Sequence, residues 1–180
     1  MSIASELSEL SVSQPAVRIE TSLGTIRLRL FPEQAPVTVN NFLTYLENGF
    51  YDGTIFHRVI HRFIVQAGGY ETGMVMKATR PPIRCEADNR LRNERGTVAA
   101  ARLPDDPHSA TAQFFINVRD NGALDYHDRS APGWGWCVFG AVTEGMDVVD
   151  RLAGMATISI TPHRHVPAQE IRILSAVRDE

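Results

Sequence analysis

The sequence has few cysteines and no long apolar run. Cys85 and Cys137 are the only cysteines among 180 residues, and neither belongs to a CxxC pair. This usage is typical of a reducing compartment, and we expect both residues to be free structural thiols. No segment has the roughly 20 consecutive apolar residues that a membrane-spanning helix needs, so no membrane partner is expected.

The chain also lacks an excess of positive charge. Eighteen Lys and Arg residues against 21 Asp and Glu residues leave a formal charge of -3. No broad basic field is therefore available to neutralise phosphates, and nucleic acid is not expected as a partner. Hydrophobic residues make up 43% and charged residues 22%, which is typical of a soluble globular domain with one core.

The first 15 residues contain neither a basic cluster nor the apolar core of a signal peptide. They are polar and rich in serine, and they end at Gln14-Pro15. This composition predicts a flexible leader over residues 1–15, followed by a folded domain over residues 16–178. Without a signal peptide or lipidation signal, we expect a cytoplasmic location.

Alternation of apolar and polar residues at period two predicts β-strands. Two such runs flank Ser22-Leu23-Gly24 and predict a hairpin over residues 16–30. Six further strands are predicted at residues 54–60, 63–67, 97–101, 113–118, 136–142 and 169–177.

Two segments have the apolar spacing of helices. The first begins at Pro36 and ends at Asn48-Gly49, and the second covers residues 144–152. Two helices are too few to connect eight strands in parallel, so an antiparallel sheet is predicted. The predicted fold is mainly β: an eight-stranded antiparallel closed β-barrel capped by two α-helices.

An arginine stands inside the third predicted strand. Arg58 alternates with Phe56 and Ile60, which is unusual for a charged side chain. It either lies in solvent at a sheet edge or is held in a partly apolar cleft. The neighbouring His57 falls on the opposite face and is interpreted as structural. Because four residues of a strand span about 13 Å, His57 and His61 are not expected to share a metal ion.

Four motifs follow one another along the chain in the order and at the intervals found in one protein family. They are FHRVI from Phe56, RGTVAAAR from Arg95, HSATAQFFINV from His108 and GWGWCVFG from Gly133. On these motifs the chain resembles the cyclophilins, and within them the bacterial cytosolic, cyclophilin B-like members. The resemblance covers about residues 16–178. It implies an eight-stranded barrel with two helices and peptidyl-prolyl cis-trans isomerase activity.

Rotation about an X-Pro bond breaks no covalent bond and faces only the resonance barrier of ~20 kcal/mol. No nucleophile, metal or cofactor is needed. Rotation localises the lone pair of the prolyl nitrogen, so a donor aimed at that atom binds the twisted state better than the planar states. Arg58 is the candidate donor, and an apolar pocket must hold the proline ring.

The resemblance assigns the remaining roles. Gln66 would hold the substrate backbone or orient Arg58, and main-chain groups of Arg102 would fix the residue before proline. Without the resemblance, Phe115 and Leu124 would be interpreted as core residues. The expected catalytic residues are Arg58, Phe63 and Gln66, and the expected substrate-binding residues are Ile64, Ala101, Arg102, Phe115, Ala123, Leu124 and Trp136.

The sequence departs from the eukaryotic members of the family near Leu124. Many of them have a tryptophan immediately before the matching leucine, and that tryptophan is a determinant of cyclosporin binding. This chain has Ala123 there, so weak cyclosporin binding is expected. Where those eukaryotic members have a histidine in the pocket, this chain has Trp136, which would partly refill the pocket wall that Ala123 leaves open. Where they have a methionine, this chain has Ile64.

The expected partners are proline-containing peptides and unfolded protein clients, bound by a monomer that assists folding. One alternative stays open on the residues alone: a proline-segment binding module or holdase chaperone that uses the same groove without significant turnover.

Overall fold

A computed structural model describes residues 14–179. The helices are α1 Pro36–Glu47 and α2 Met146–Ala153. The strands are β1 Ala16–Thr21, β2 Gly24–Leu30, β3 Arg58–Ile60, β4 Ile64–Ala67, β5 Tyr70–Glu71, β6 Val75–Met76, β7 Thr97–Ala100, β8 Phe114–Asn117, β9 Val138–Glu144, β10 Thr157–Ile160, β11 His163–Pro167 and β12 Ile173–Asp179.

Eight strands form one antiparallel sheet in the order β12-β1-β2-β9-β7-β8-β4-β3. Within the described residues the edge strands β12 and β3 do not pair with each other. The main chain before them joins the two edges instead: the Phe56 N–H donates to the Ile171 carbonyl at 2.9 Å, and the Ile173 N–H donates to the Thr54 carbonyl at 2.8 Å. The mainly β, antiparallel fold with two helices is confirmed, although closure depends on this short seam rather than on a strand ladder.

Alternation along the strands separates two apolar clusters. Val59, Val65, Ile116 and Val98 lie on four neighbouring strands, have at most 1% of their surface exposed, and belong to the main core. The side chains one position away point to the other face of the sheet. There they form a second, smaller cluster of Ile64, Ala99, Phe115 and Val138.

The N-terminus of α1 is held by a residue far away in sequence. The helix begins with Pro36, and Ala35 at the N-cap contributes no side-chain hydrogen bond. The buried Glu86 carboxylate accepts from the N–H groups of Val37 and Thr38, at 3.1 and 2.9 Å. Because a negative charge is favourable at a helix N-terminus, this contact fixes the Glu86 loop against α1.

The structure changes several predicted boundaries. The strand predicted over residues 54–60 begins only at Arg58, because the chain before it forms the seam of the barrel. The hairpins β5–β6 and β10–β11 lie outside the main sheet and were missed. All four residues of β10 are exposed, so no buried face reveals this strand by its pattern.

Residues 1–13 of the predicted leader lie outside the described part of the chain. Pro15, just before β1, is joined to the end of β2, because its carbonyl accepts from the Leu30 N–H at 2.9 Å. The domain bounds 16–178 stay a prediction. Among residues 14–179, no helix is long and apolar enough to cross a membrane.

Candidate functional site

A row of four paired residues crosses the outer face of the sheet. Arg58 on β3 is opposite Gln66 on β4, Gln66 is opposite Phe115 on β8, and Phe115 is opposite Ala99 on β7. The antiparallel register therefore places a charged, a polar and an aromatic side chain side by side, although they are distant in the sequence.

This face forms one wall of a cavity of about 450 Å³. Nine of the ten predicted site residues line it, and Pro104 is an additional lining residue. Ala123 is the exception: it lies in the short helical turn of residues 122–124 and is exposed to solvent. The lining residues are Arg58, Phe63, Ile64, Gln66, Ala101, Arg102, Pro104, Phe115, Leu124 and Trp136.

Arg58 is half-buried and has a polar rather than an ionic partner. Its Nη1 donates to Gln66 Oε1 at 3.1 Å. Among residues 14–179, no carboxylate forms an ion pair with it. Burial lowers the pKa of Arg58, but a guanidinium stays charged at any physiological pH. In the part of the chain that the structure describes, the charge of this cation in the cavity is therefore not neutralised by a carboxylate.

Gln113 continues the polar row and was missed by sequence reasoning. Gln66 Nε2 donates to Gln113 Oε1 at 2.8 Å, which fixes the Gln66 amide so that its oxygen faces Arg58. A Cβ atom on Gly69 would meet the Gln113 side chain at 2.5 Å, so only glycine leaves room for it. The polar signal at Gln113 was visible in the motif QFFINV but was interpreted only as the start of a strand.

Arg102 contributes its side chain, whereas the sequence analysis considered only its main chain. The guanidinium lies over the Trp136 ring, 4.2 Å from the ring centroid. Nε donates to the Gly135 carbonyl at 2.8 Å, and Nη1 donates to the Leu103 and Pro104 carbonyls at 2.9 and 3.1 Å. Backbone carbonyls and an aromatic face therefore hold this second cation in the cavity wall.

Three buried asparagines position the wall of the cavity that carries Leu124 and Trp136. Asn93 Nδ2 donates to the carbonyls of Leu124 and Trp136, at 3.0 and 3.2 Å. Asn117 Nδ2 donates to Asn93 Oδ1 at 3.1 Å, and Asn121 Nδ2 donates to Asn117 Oδ1 at 2.9 Å. Because the asparagines are buried and bonded to one another, they fix the segments that present Leu124 and Trp136.

His57 lies behind the cavity and does not line it. Its ring is buried and packs on Tyr70, with ring centroids 4.5 Å apart. Burial, and then the nearby charges of Arg58 and His163, lower the pKa of His57 to about 4. The imidazole is therefore neutral at physiological pH and belongs to the scaffold.

Phe56 also belongs to the scaffold. Because β3 begins at Arg58, alternation does not extend back to Phe56, which has 1% of its surface exposed and lies in the main core. Of the motif Phe56-His57-Arg58, only Arg58 reaches the cavity.

The arrangement combines apolar walls with fixed hydrogen-bond donors. Phe63, Ile64, Phe115 and Leu124 offer a surface that fits a small apolar ring, and Arg58 offers N–H groups beside it. The buried thiols of Cys85 and Cys137 do not line this cavity. The side chains present suit a reaction that needs binding and a directed donor rather than a covalent step.

Comparisons with known proteins agree with this geometry. The family described as cyclophilin type peptidyl-prolyl cis-trans isomerase/CLD matches residues 16–178. Peptidyl-prolyl cis-trans isomerase B of Escherichia coli is 51% identical, over 91% of this chain and 99% of that protein. Peptidyl-prolyl cis-trans isomerase cyp18 of Streptomyces antibioticus is 54% identical, over 89% of this chain and 96% of that protein.

A solved structure gives the same result for the fold. The cyclophilin type peptidyl-prolyl cis-trans isomerase of Cryptosporidium parvum, crystallised in the presence of the dipeptide Ala-Pro, matches with a TM-score of 0.75 at 26% identity. The match covers 92% of this chain and 99% of that chain.

The fold is that of a prolyl isomerase. The chain belongs to the cyclophilin-type peptidyl-prolyl cis-trans isomerase family, and the match to the Escherichia coli and Streptomyces isomerases extends over nearly their whole length. Its enzymatic activity is the cis-trans isomerisation of X-Pro peptide bonds. The alternative of a binding module without turnover is not favoured.

Proposed function

We propose that the cavity seats the proline ring of a client chain against Phe63, Ile64, Phe115 and Leu124, while Arg58 donates a hydrogen bond to the prolyl nitrogen. One observation carries this proposal: Arg58 lies in an apolar-walled cavity, is oriented by Gln66, and has no acidic partner among residues 14–179. Because the twisted peptide localises the lone pair on nitrogen, such a donor stabilises the transition state more than the planar states.

Arg58 supplies only part of the rate enhancement. A hydrogen bond from a charged donor contributes about 1.5–3 kcal/mol, against a barrier of ~20 kcal/mol. The apolar walls supply a further part by holding the ring still while one side of the peptide bond rotates. The small side chain of Ala101 keeps the cavity open, and the main chain of Arg102 fixes the residue before proline.

The dipeptide in the Cryptosporidium relative supports proline-containing peptides as ligands. In an NMR titration with an Ala-Pro peptide, we expect signals of Phe63, Leu124 and Trp136 to shift together, with exchange cross-peaks between the cis and trans peptide. Shifts confined to residues outside the cavity would contradict the placement of the ring. Binding without exchange cross-peaks would contradict the proposed mechanism.

The exposed position of Ala123 gives a prediction for cyclosporin. Ala123 is exposed directly before the cavity residue Leu124, so the wild type lacks the tryptophan that many eukaryotic members of the family have at this position. We expect weak inhibition of the wild type and about 10- to 100-fold tighter inhibition of Ala123→Trp, since an aromatic side chain buried against the bound drug contributes roughly 1.5–3 kcal/mol. The inhibition constant measures this effect.

Turnover of the Ala123→Trp variant without drug serves as its control, because an exposed residue of the turn should not alter catalysis. Inhibition of the wild type at nanomolar cyclosporin would refute the role of Ala123.

We propose unfolded or flexible chains as clients, because the cavity is open to solvent and needs only a proline with its flanking backbone. We also propose a cytoplasmic, monomeric protein that assists folding; the two free thiols support a reducing compartment.

A further inference from the structure

A second cleft opens beside the catalytic cavity, on the far side of Arg102. Its volume is about 550 Å³, and its lining includes Ile83, Arg84, His108, Arg129 and Trp134. The rings of His108 and Trp134 pack edge to face, with centroids 5.0 Å apart. The cleft thus offers an aromatic surface next to two arginines, and no residue assigned to catalysis lies in it.

A narrow crevice of about 10 Å³ lies between the cleft and the catalytic cavity. Arg102 lines both the cavity and the crevice, and Ile83 and Arg84 line both the crevice and the cleft. The crevice is too small for a polypeptide, so an extended chain with its proline in the cavity reaches the cleft only over the surface at Arg102. We call the cavity and the cleft together the groove.

The walls of the groove carry an excess of positive charge. Arg58 and Arg102 line the catalytic cavity, Arg84 and Arg129 line the cleft, and Asp88 is the one carboxylate among the described lining residues. Among residues 14–179, neither Arg84 nor Arg129 forms an ion pair. The whole chain has a net charge of -3, so the groove differs in sign from the protein that contains it.

An acidic side chain lies beside the groove. Burial lowers the pKa of Arg102, and Asp106 is close enough to raise it by a smaller amount. The Asp106 carboxylate accepts from the His108 N–H at 2.9 Å, and the Arg102 guanidinium donates to backbone carbonyls. Arg102 therefore keeps its charge, but all three of its guanidinium nitrogens already donate to backbone carbonyls, the fourth bond being from Nη2 to the Ala131 carbonyl at 3.3 Å. Binding of an acidic side chain is assigned to Arg84 and Arg129 rather than to Arg102.

We propose that this groove selects client segments that carry Asp or Glu on one side of the proline, with the acidic side chains facing Arg84 and Arg129. This inference rests on the proposed seating of the proline in the catalytic cavity. Ion pairs at partly exposed positions strengthen binding by about two- to fivefold each, and screening by salt weakens them.

The test uses peptides with one central Ala-Pro and a single Glu, Gln or Lys at successive positions before or after it. Dissociation constants are measured by calorimetry at low and at high ionic strength. The proteins are the wild type, the double variant Arg84→Gln/Arg129→Gln and the control Arg164→Gln. Arg164 is an exposed residue of β11 that does not line the groove, so the control removes a positive charge elsewhere.

For the wild type we expect about fivefold tighter binding of Glu peptides than of Gln peptides, on one side of the proline and at low salt. The ratio should fall to about one in the double variant and persist in Arg164→Gln. Equal binding of Glu, Gln and Lys peptides by the wild type, or a preference that survives in the double variant, overturns the proposal. If the Gln peptide binds but is not isomerised, the proposed mechanism fails, whereas the ratio of affinities still decides this inference.

Discussion

Replacement of Arg58 by alanine is expected to lower kcat/KM by about 10- to 100-fold. This range corresponds to the loss of one charge-assisted hydrogen bond in the transition state, about 1.5–3 kcal/mol. Arg58→Lys should retain part of the activity, because an ammonium keeps the charge but cannot keep the planar geometry that Gln66 orients. The rates are measured by NMR exchange on an Ala-Pro peptide.

The control for Arg58→Ala is Arg29→Ala. Arg29 is an exposed residue of β2, outside the cavity, and its loss changes the net charge by the same amount. Arg58 forms no ion pair within the described residues, so its removal should leave the free energy of unfolding little changed. Full activity of Arg58→Ala would refute the donor role, and equal losses in both variants would indicate a general charge effect.

Acidification is expected to destabilise the protein through His57. The pKa of His57 is about 4 in the folded state and 6.5 for an ordinary histidine. Above about pH 6.5 the imidazole is neutral in both states, and its contribution to stability is fully present. As the pH falls from about 6.5 to about 4, the unfolded state binds a proton that the folded state does not. Stability is lost over this window, and the loss levels off below it.

The expected loss from His57 between about pH 7.5 and pH 5 is about 2 kcal/mol in the free energy of unfolding. The free energy of unfolding is measured by urea unfolding of the wild type and of His57→Gln at both pH values. Because glutamine does not titrate, the difference between the two proteins gives the loss that is due to His57. His165→Gln removes an exposed histidine and should keep the dependence of the wild type. If wild type and His57→Gln lose equal stability on acidification, the neutral, buried state of His57 is refuted.

The sequence predicted the antiparallel eight-stranded sheet because alternation at period two survives in each strand of a half-buried sheet. It missed β10, whose residues are all exposed, and it extended the third strand back to residue 54. Main-chain hydrogen bonds at the seam of the barrel, which leave no side-chain pattern, decide where that strand begins.

Most of the candidate site was predictable because the motifs carry its side chains. The asparagine network and Gln113 were not, since a polar residue near a strand end is equally consistent with a turn. Ala123 was predicted as a substrate-binding residue because it stands at the position of a tryptophan in eukaryotic members of the family. Neighbours in a short helical turn point in different directions, and Ala123 is exposed while Leu124 lines the cavity.

The sequence by itself determined the fold class, the family and the presence of an arginine among apolar residues. Local pattern and motif order suffice for these, because they depend on neighbours along the chain. Only the tertiary structure decided that Arg58 lies opposite Gln66, that Gln113 fixes this pair, and that Arg102 lies over Trp136. Strand register and loop packing bring these residues together from distant parts of the chain, and no local pattern encodes such contacts.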